Sequence, residues 1–167
     1  MNPNTPSSQY LTRILRLSDI DSHLVSAWAD LEARALHPNS FLSPHFVLPA
    51  MKYLEPSEDC FGVFVEKLSA GSRDLVGAAW FRVCKPTRRF PLKHLAAFES
   101  VHSYLSDFLL DREHASDALK EIYGYLTDKG HAWHGLYLNN YSAGSLFTQE
   151  PLAIAADFGM RWNLFRQ

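Results

Sequence analysis

No apolar run in the sequence approaches the roughly 20 residues that a helix needs to cross a bilayer, which reads against a membrane-spanning chain. An excess of one charge is missing as well, because 16 Lys and Arg against 18 Asp and Glu leave a net charge of -2. A surface without a basic field does not gather nucleic acid or anionic lipid, so neither partner is expected. The opening stretch, 1–9, is polar and lacks the basic-then-apolar order of a signal peptide. It reads as a flexible tail, and the chain is expected in the cytoplasm. Cysteine is scarce too. Cys60 and Cys84 each sit inside an apolar stretch, so buried thiols are the favoured reading and a disulfide the lesser one.

What the chain has in quantity is core-forming material. Hydrophobic residues make up 47% and aromatics 13% of 167 residues, enough for one well-packed domain over 10–167. Alternation over 10–17 predicts a strand. Asp21 then stands as the N-cap of a helix whose inner face carries Leu24, Trp28, Leu31 and Ala35 and which ends before Pro38. Ser43 followed by Pro44 predicts a second helix reaching about Leu54. The β-rich runs 60–68 and 75–84, joined by small and turn-forming residues, predict an antiparallel hairpin, with 93–99 as the next strand.

An acidic start, the stripe Ala115, Leu119, Ile122 and Leu126, and Gly130 as C′ residue predict a helix over 111–129. A strand over 132–138, one helix or two over 143–158 divided at Pro151, and a last strand over 160–166 complete the order β-α-α-β-β-β-α-β-α-β. Trp28, Leu31, Phe61, Val63, Ala79, Leu119, Ile122, Leu126 and Leu136 are the expected core.

Three stretches carry a family resemblance. They are Trp28-Ala-Asp-Leu31 with Pro38-Asn-Ser-Phe41-Leu-Ser-Pro44, then Ser106-Asp107-Phe108-Leu109-Leu110-Asp111, then Asn140-x-x-Ala143-x-x-Leu146-Phe147 with Phe158-Gly159. Together with the element order they resemble the GNAT acyl-CoA N-acyltransferases, and within them the acetyltransferases linked to bacterial cellulose and other polysaccharide synthesis, which are related to Fem-type aminoacyltransferases. The resemblance implies an α/β fold, with a mixed, mainly antiparallel central sheet and helices on both faces. It implies an acyl-CoA, acetyl-CoA above all, as cosubstrate, no metal, and an amine or hydroxyl acceptor on a small or sugar-derived molecule. A second GNAT-like half or a homodimer is the implied protein partner, since related proteins resemble two such units in tandem.

In such enzymes a carboxylate at the end of the fourth strand takes the acceptor's proton, and here that position is Glu99, whose bland reading is a solvent-facing strand end. Asp107 is the second catalytic candidate, for orienting substrate, against the alternative of a helix-entry cap. Asn140 and Phe147 fall at the resembling cofactor-binding positions, although Asn139-Asn140 also reads as a simple turn. Phe147 replaces a tyrosine and cannot donate a proton. The loop 100–110, which the resemblance sets against the pyrophosphate of coenzyme A, has no glycine and carries Asp107. Weak acetyl-CoA binding is therefore expected, and a non-catalytic GNAT-like module stands beside the acyltransferase reading. Ser100, His102 and Asp107 do not make a hydrolase triad on sequence proximity alone. His131 and His134 have no third ligand nearby for zinc. The basic residues Lys85, Arg88, Arg89 and Lys93 read as a solvated loop.

Overall fold

A computed structural model describes residues 9–54, 59–88, 90–140 and 149–162. Five strands lie side by side in the order β1 (Tyr10–Leu15), β2 (Cys60–Ser69), β3 (Ser72–Cys84), β4 (His94–Ala97) and β6 (Leu136–Tyr137), and a two-residue strand β5 (Leu109–Leu110) also pairs with β3. Every pairing is antiparallel except that of β4 with β6, which is parallel. Helices α1 (Ser22–Arg34) and α2 (Pro44–Pro49) cover one face. The other carries α3 (Ala115–Leu126) and α4 (Gln149–Asp157). This is the expected mixed, mainly antiparallel α/β arrangement.

Local chemistry explains the element starts. The Asp21 carboxylate accepts the Leu24 amide at 2.8 Å and so begins α1, which buries Leu24, Trp28 and Leu31. Ser43 Oγ accepts the Phe46 amide at 3.2 Å ahead of Pro44, beginning α2. Pro49 has no N–H to give, and from Ala50 to Leu54 the chain widens into a π-helical turn. The expected loop between β2 and β3 shrinks to Ala70-Gly71, because both strands extend to a Ser69–Ser72 pair. Gly71 takes the positive φ of 93° that this tight turn requires.

The sheet divides two apolar layers. Trp28 stacks on Trp80 at 5.7 Å between ring centroids on the α1/α2 side, with Phe64 edge-on to both. On the α3/α4 side Val63, Ala79, Phe81, Leu119, Ile122 and Tyr123 are buried together. Of the expected core residues, Phe61 and Leu136 are only half-buried and pack at its margin. Cys60 is buried, Cys84 is half-buried, and both are thiols outside any disulfide.

Several boundaries move. The helix expected over 111–129 starts at Ala115, because Asp111 is taken by Arg34 and by the Glu113 amide. It ends at Leu126, so Gly130 is not its C′ residue; its amide bonds Asp128 Oδ1 instead. The strand over 132–138 contracts to Leu136–Tyr137. Pro151 lies in the first turn of α4, where no N–H is needed, and does not divide the helix. Of the expected last strand, 160–162 is not in a strand, and 163–166 lies outside the described residues, as does 143–148.

Candidate functional site

The strand next to β3 is interrupted. Ala97 pairs with Phe81 and the Phe98 amide donates to the Trp80 carbonyl at 2.7 Å, yet the next paired residue, Leu109, stands opposite Ala78. A continuous strand would place one residue against Ala79. Here the ten residues 99–108 leave the sheet and return to it.

These ten residues cross the space where β4 and β6 separate. The two strands pair only at Leu95–Leu136 and Ala96–Tyr137. Beyond that rung Asn139 Nδ2 donates to Glu99 Oε2 at 3.0 Å, and the Ser106 amide donates to the Asn140 carbonyl at 3.1 Å. Asn140 has φ 52°, a left-handed conformation that Asn tolerates better than most residues, and this turns its carbonyl to the loop. On the opposite wall the Tyr104 ring meets Phe41 edge-on at 5.6 Å, and Asn39 Nδ2 donates to the Leu105 carbonyl at 3.5 Å. The loop is thus a strap held at both ends, with Tyr104 75% exposed near its tip.

Within the strap, Ser100 Oγ accepts the backbone amide of His102 at 3.4 Å, and Ser103 Oγ donates to the Ser100 carbonyl at 2.9 Å. These are turn-forming bonds. Glu99 is half-buried, whereas Ser106 and Asp107 are buried. Ser106 Oγ has no hydrogen-bond partner among the described residues.

The entrance to α3 lies at the far end of the interrupted strand. After Leu110 the chain turns through 111–114, and the Asp111 carboxylate pairs with Arg34, whose Nη2 also donates to the Leu75 carbonyl at 2.5 Å. No side chain caps α3, and Ala118 is the first amide to reach a helical carbonyl, that of His114 at 2.9 Å. The amides of Ala115, Ser116 and Asp117 therefore face outward at the positive end of the helix dipole. Lys67 Nζ stands 3.2 Å from His114 Nε2 beside them, and Arg112 is exposed. Asp117 is the counterweight. The Tyr10 hydroxyl, 3.0 Å from its Oδ2, and then Lys120 hold its carboxyl below the usual range.

This geometry corrects the reading of 100–110 as the segment that feeds α3. The strand residues Leu109–Leu110 and the turn 111–114 intervene, so Asp107 belongs to the strap and does not occupy the helix N-terminus. Asp107 is thereby removed from the α3 N-terminus, where Glu113 and Asp117 are the acids that stand against an anion. A slot of about 70 Å³ lies between the first turns of α3 and α4, lined by Phe108, Leu110, Leu119, Pro151 and Ile154, and the Ser116 hydroxyl donates to Glu150 across it.

Glu99, Asp107 and Asn140 are therefore brought to one place by the strap, while Phe147 lies outside the described residues. Asn139 and Ser106 were missed as site residues. Their only signal was adjacency to Asn140 and Asp107. Lys85, Arg88 and Lys93 lie on the β3–β4 connection, at the opposite end of β4 from Glu99, and Arg89 is outside the described residues. His131 stacks on Trp133 at 4.0 Å.

Comparison with solved structures bears on this architecture. Glucosamine-6-phosphate N-acetyltransferase from Arabidopsis thaliana superposes with a TM-score of 0.52 at 14% identity, covering 95% of this chain and 95% of that one. Ribosomal-protein-alanine N-acetyltransferase from Brucella melitensis biovar Abortus 2308 superposes at 0.50 with 13% identity, covering 95% of this chain and 96% of that one. The fold is that of the GNAT acetyltransferases. No protein-family model matches the sequence, and no curated protein matches it. In this fold β4 and β6 are the parallel pair, the strap 99–108 interrupts the strand between β4 and β5, and α3 follows that strand.

Proposed function

We propose that the chain is an acyltransferase that moves an acyl group from acyl-coenzyme A to an amine or hydroxyl of a small or sugar-derived acceptor. The observation that carries this reading is the interrupted strand β4–β5, along which the β4–β6 pair, the half-buried Glu99 and the uncapped α3 N-terminus follow one another. The residues present fit the substrate. Three outward amides with Lys67 and His114 nearby suit a pyrophosphate, and Leu110 and Phe108 offer an apolar flank for a thioester arm. Polysaccharide synthesis remains the proposed context for a sugar-derived acceptor, with a second GNAT-like unit as the proposed partner.

In this reading Glu99 takes the proton of the attacking nitrogen or oxygen, and Asn139 keeps one carboxylate oxygen oriented while leaving the other available. Asp107 orients the acceptor, and Asn140 and Phe147 border the thioester arm. The test is a thermal melt with acetyl-coenzyme A, and then with longer acyl-coenzyme A species. At 100 times its Kd a ligand adds about 2.7 kcal/mol, a rise of about 5–10 °C for a chain of this size. A melt unchanged by any of them at millimolar concentration removes the reading.

A further inference from the structure

We propose that the Ser106 hydroxyl donates the hydrogen bond that stabilises the oxyanion formed on the acyl-thioester substrate, an inference that rests on the acyltransferase reading above. A buried hydroxyl without a partner weakens a fold and calls for an explanation. Ser106 is such a group: it is 1% exposed and its Oγ has no hydrogen-bond partner among the described residues.

Its position is fixed independently of that hydroxyl. The Ser106 amide is held by the Asn140 carbonyl at 3.1 Å, and Glu99 is held by the Asn139 side chain at 3.0 Å. Asn139 and Asn140, just past β6, therefore hold the Glu99 carboxylate and the Ser106 backbone beside the same gap. The facing of the strand supplies the third observation. Phe108 and Leu110 point to the α3/α4 layer and line the slot, whereas Leu109 points to the α1/α2 layer. Ser106 lies two residues before Phe108 on the strap and, like it, is buried. An arm anchored at the first turn of α3 passes Leu110, then Phe108, and reaches Ser106. The acceptor side is left to Asp107.

In the step so formed, the acceptor nitrogen attacks the thioester carbon, and the carbonyl π pair moves to oxygen, where the Ser106 O–H bonds it. The nitrogen's proton passes to Glu99. The oxygen pair then returns, the C–S bond breaks, and sulfur leaves with its electron pair and takes the proton from Glu99 through water. Thioester and amine become amide and thiol, and Ser106 keeps its proton throughout.

The experiment compares the wild-type chain with Ser106→Ala and Ser106→Thr. Thiol release from acetyl-coenzyme A is followed with hydroxylamine and with glucosamine 6-phosphate as acceptors, and the melting temperature of each protein is measured without ligand. Loss of one oxyanion donor lowers kcat about 100-fold. The expected result is that loss in Ser106→Ala with KM within about 3-fold, a melting temperature equal to or above wild type, and partial recovery of kcat in Ser106→Thr. A Ser106→Ala protein with wild-type kcat, or one that loses activity only in proportion to a lowered melting temperature, overturns the inference and leaves the acyltransferase reading intact. A wild-type chain that neither releases thiol nor responds to acetyl-coenzyme A in the melt removes both.

Discussion

Tyr123 and Glu99 are both acids placed by the fold, with opposite consequences. Tyr123 is fully buried among Phe108, Phe158 and Trp162, and its hydroxyl has no partner among the described residues. Burial pushes its phenol above the ordinary 10.0. The folded chain then keeps a proton that the unfolded chain releases, so the stability tied to Tyr123 is complete below pH 10 and declines as pH rises beyond it. Tyr123→Phe is expected to be within about 1 kcal/mol of wild type at pH 7. Above pH 10 it should lose stability less steeply, by up to about 1.4 kcal/mol per pH unit. Urea melts at pH 7 and above 10 decide this, and parallel pH profiles would show that the phenol is not desolvated. Glu99 is held by Asn139 at the gap. Glu99→Gln keeps an acceptor for that bond but loses the base, so kcat for acetyl transfer should fall about 10²–10⁴-fold with an unchanged melting temperature. Equal kcat in the two proteins would assign the base elsewhere.

At the scale of elements, the β2–β3 hairpin has the least room for change. A Cβ on Gly62 would stand 2.5 Å from Phe64 Cε2 and 3.0 Å from the Trp80 ring. Neither ring can withdraw, because each is packed against Trp28. Gly62→Ala should therefore cost about 1–3 kcal/mol by overpacking, read as a lower urea midpoint at constant slope. A midpoint equal to wild type would mean that the aromatic layer yields freely. Much of this layer was legible in advance. The Asp21 and Ser43 caps, the hairpin and the inner face of α3 follow from nearest neighbours and from period, which a sequence states directly. The start of α3 was misplaced because Asp111 resembles a first-turn acid until Arg34, 77 positions away, is seen to hold it. Strand β5 was not legible, since two residues carry no period and only β3 defines them. The site followed the same division. Glu99 and Asp107 could be named from motif position, but Asn139 acts on Glu99 across 40 positions and only the fold brings them together.

Across the whole molecule, the α1/α2 layer and the α3/α4 layer are joined at one corner where α1 ends and the interrupted strand returns. Arg34 pairs with Asp111 and donates to the Leu75 carbonyl, the Leu36 amide donates to the Leu110 carbonyl at 2.8 Å, and the Arg112 amide donates to the Arg34 carbonyl at 3.2 Å. The two charges are unequally solvated, with the Arg34 side chain 42% exposed and that of Asp111 6% exposed. Removing one partner should therefore cost different amounts depending on which remains. Arg34→Ala leaves a buried carboxylate without its cation, at a cost of about 3–5 kcal/mol. Asp111→Ala leaves an arginine that water and the Leu75 carbonyl still serve, together with an uncapped Glu113 amide, at about 1–2 kcal/mol. The double variant should lie near Asp111→Ala alone, because the buried charge is gone in both, which makes the coupling equal to the cost of Arg34→Ala, about 3–5 kcal/mol. Denaturant melts of the four proteins complete the cycle. Equal costs for the two single variants, or costs that simply add, would show that the pair does not hold this corner and that the approach to the α3 N-terminus is set by the backbone bonds around it.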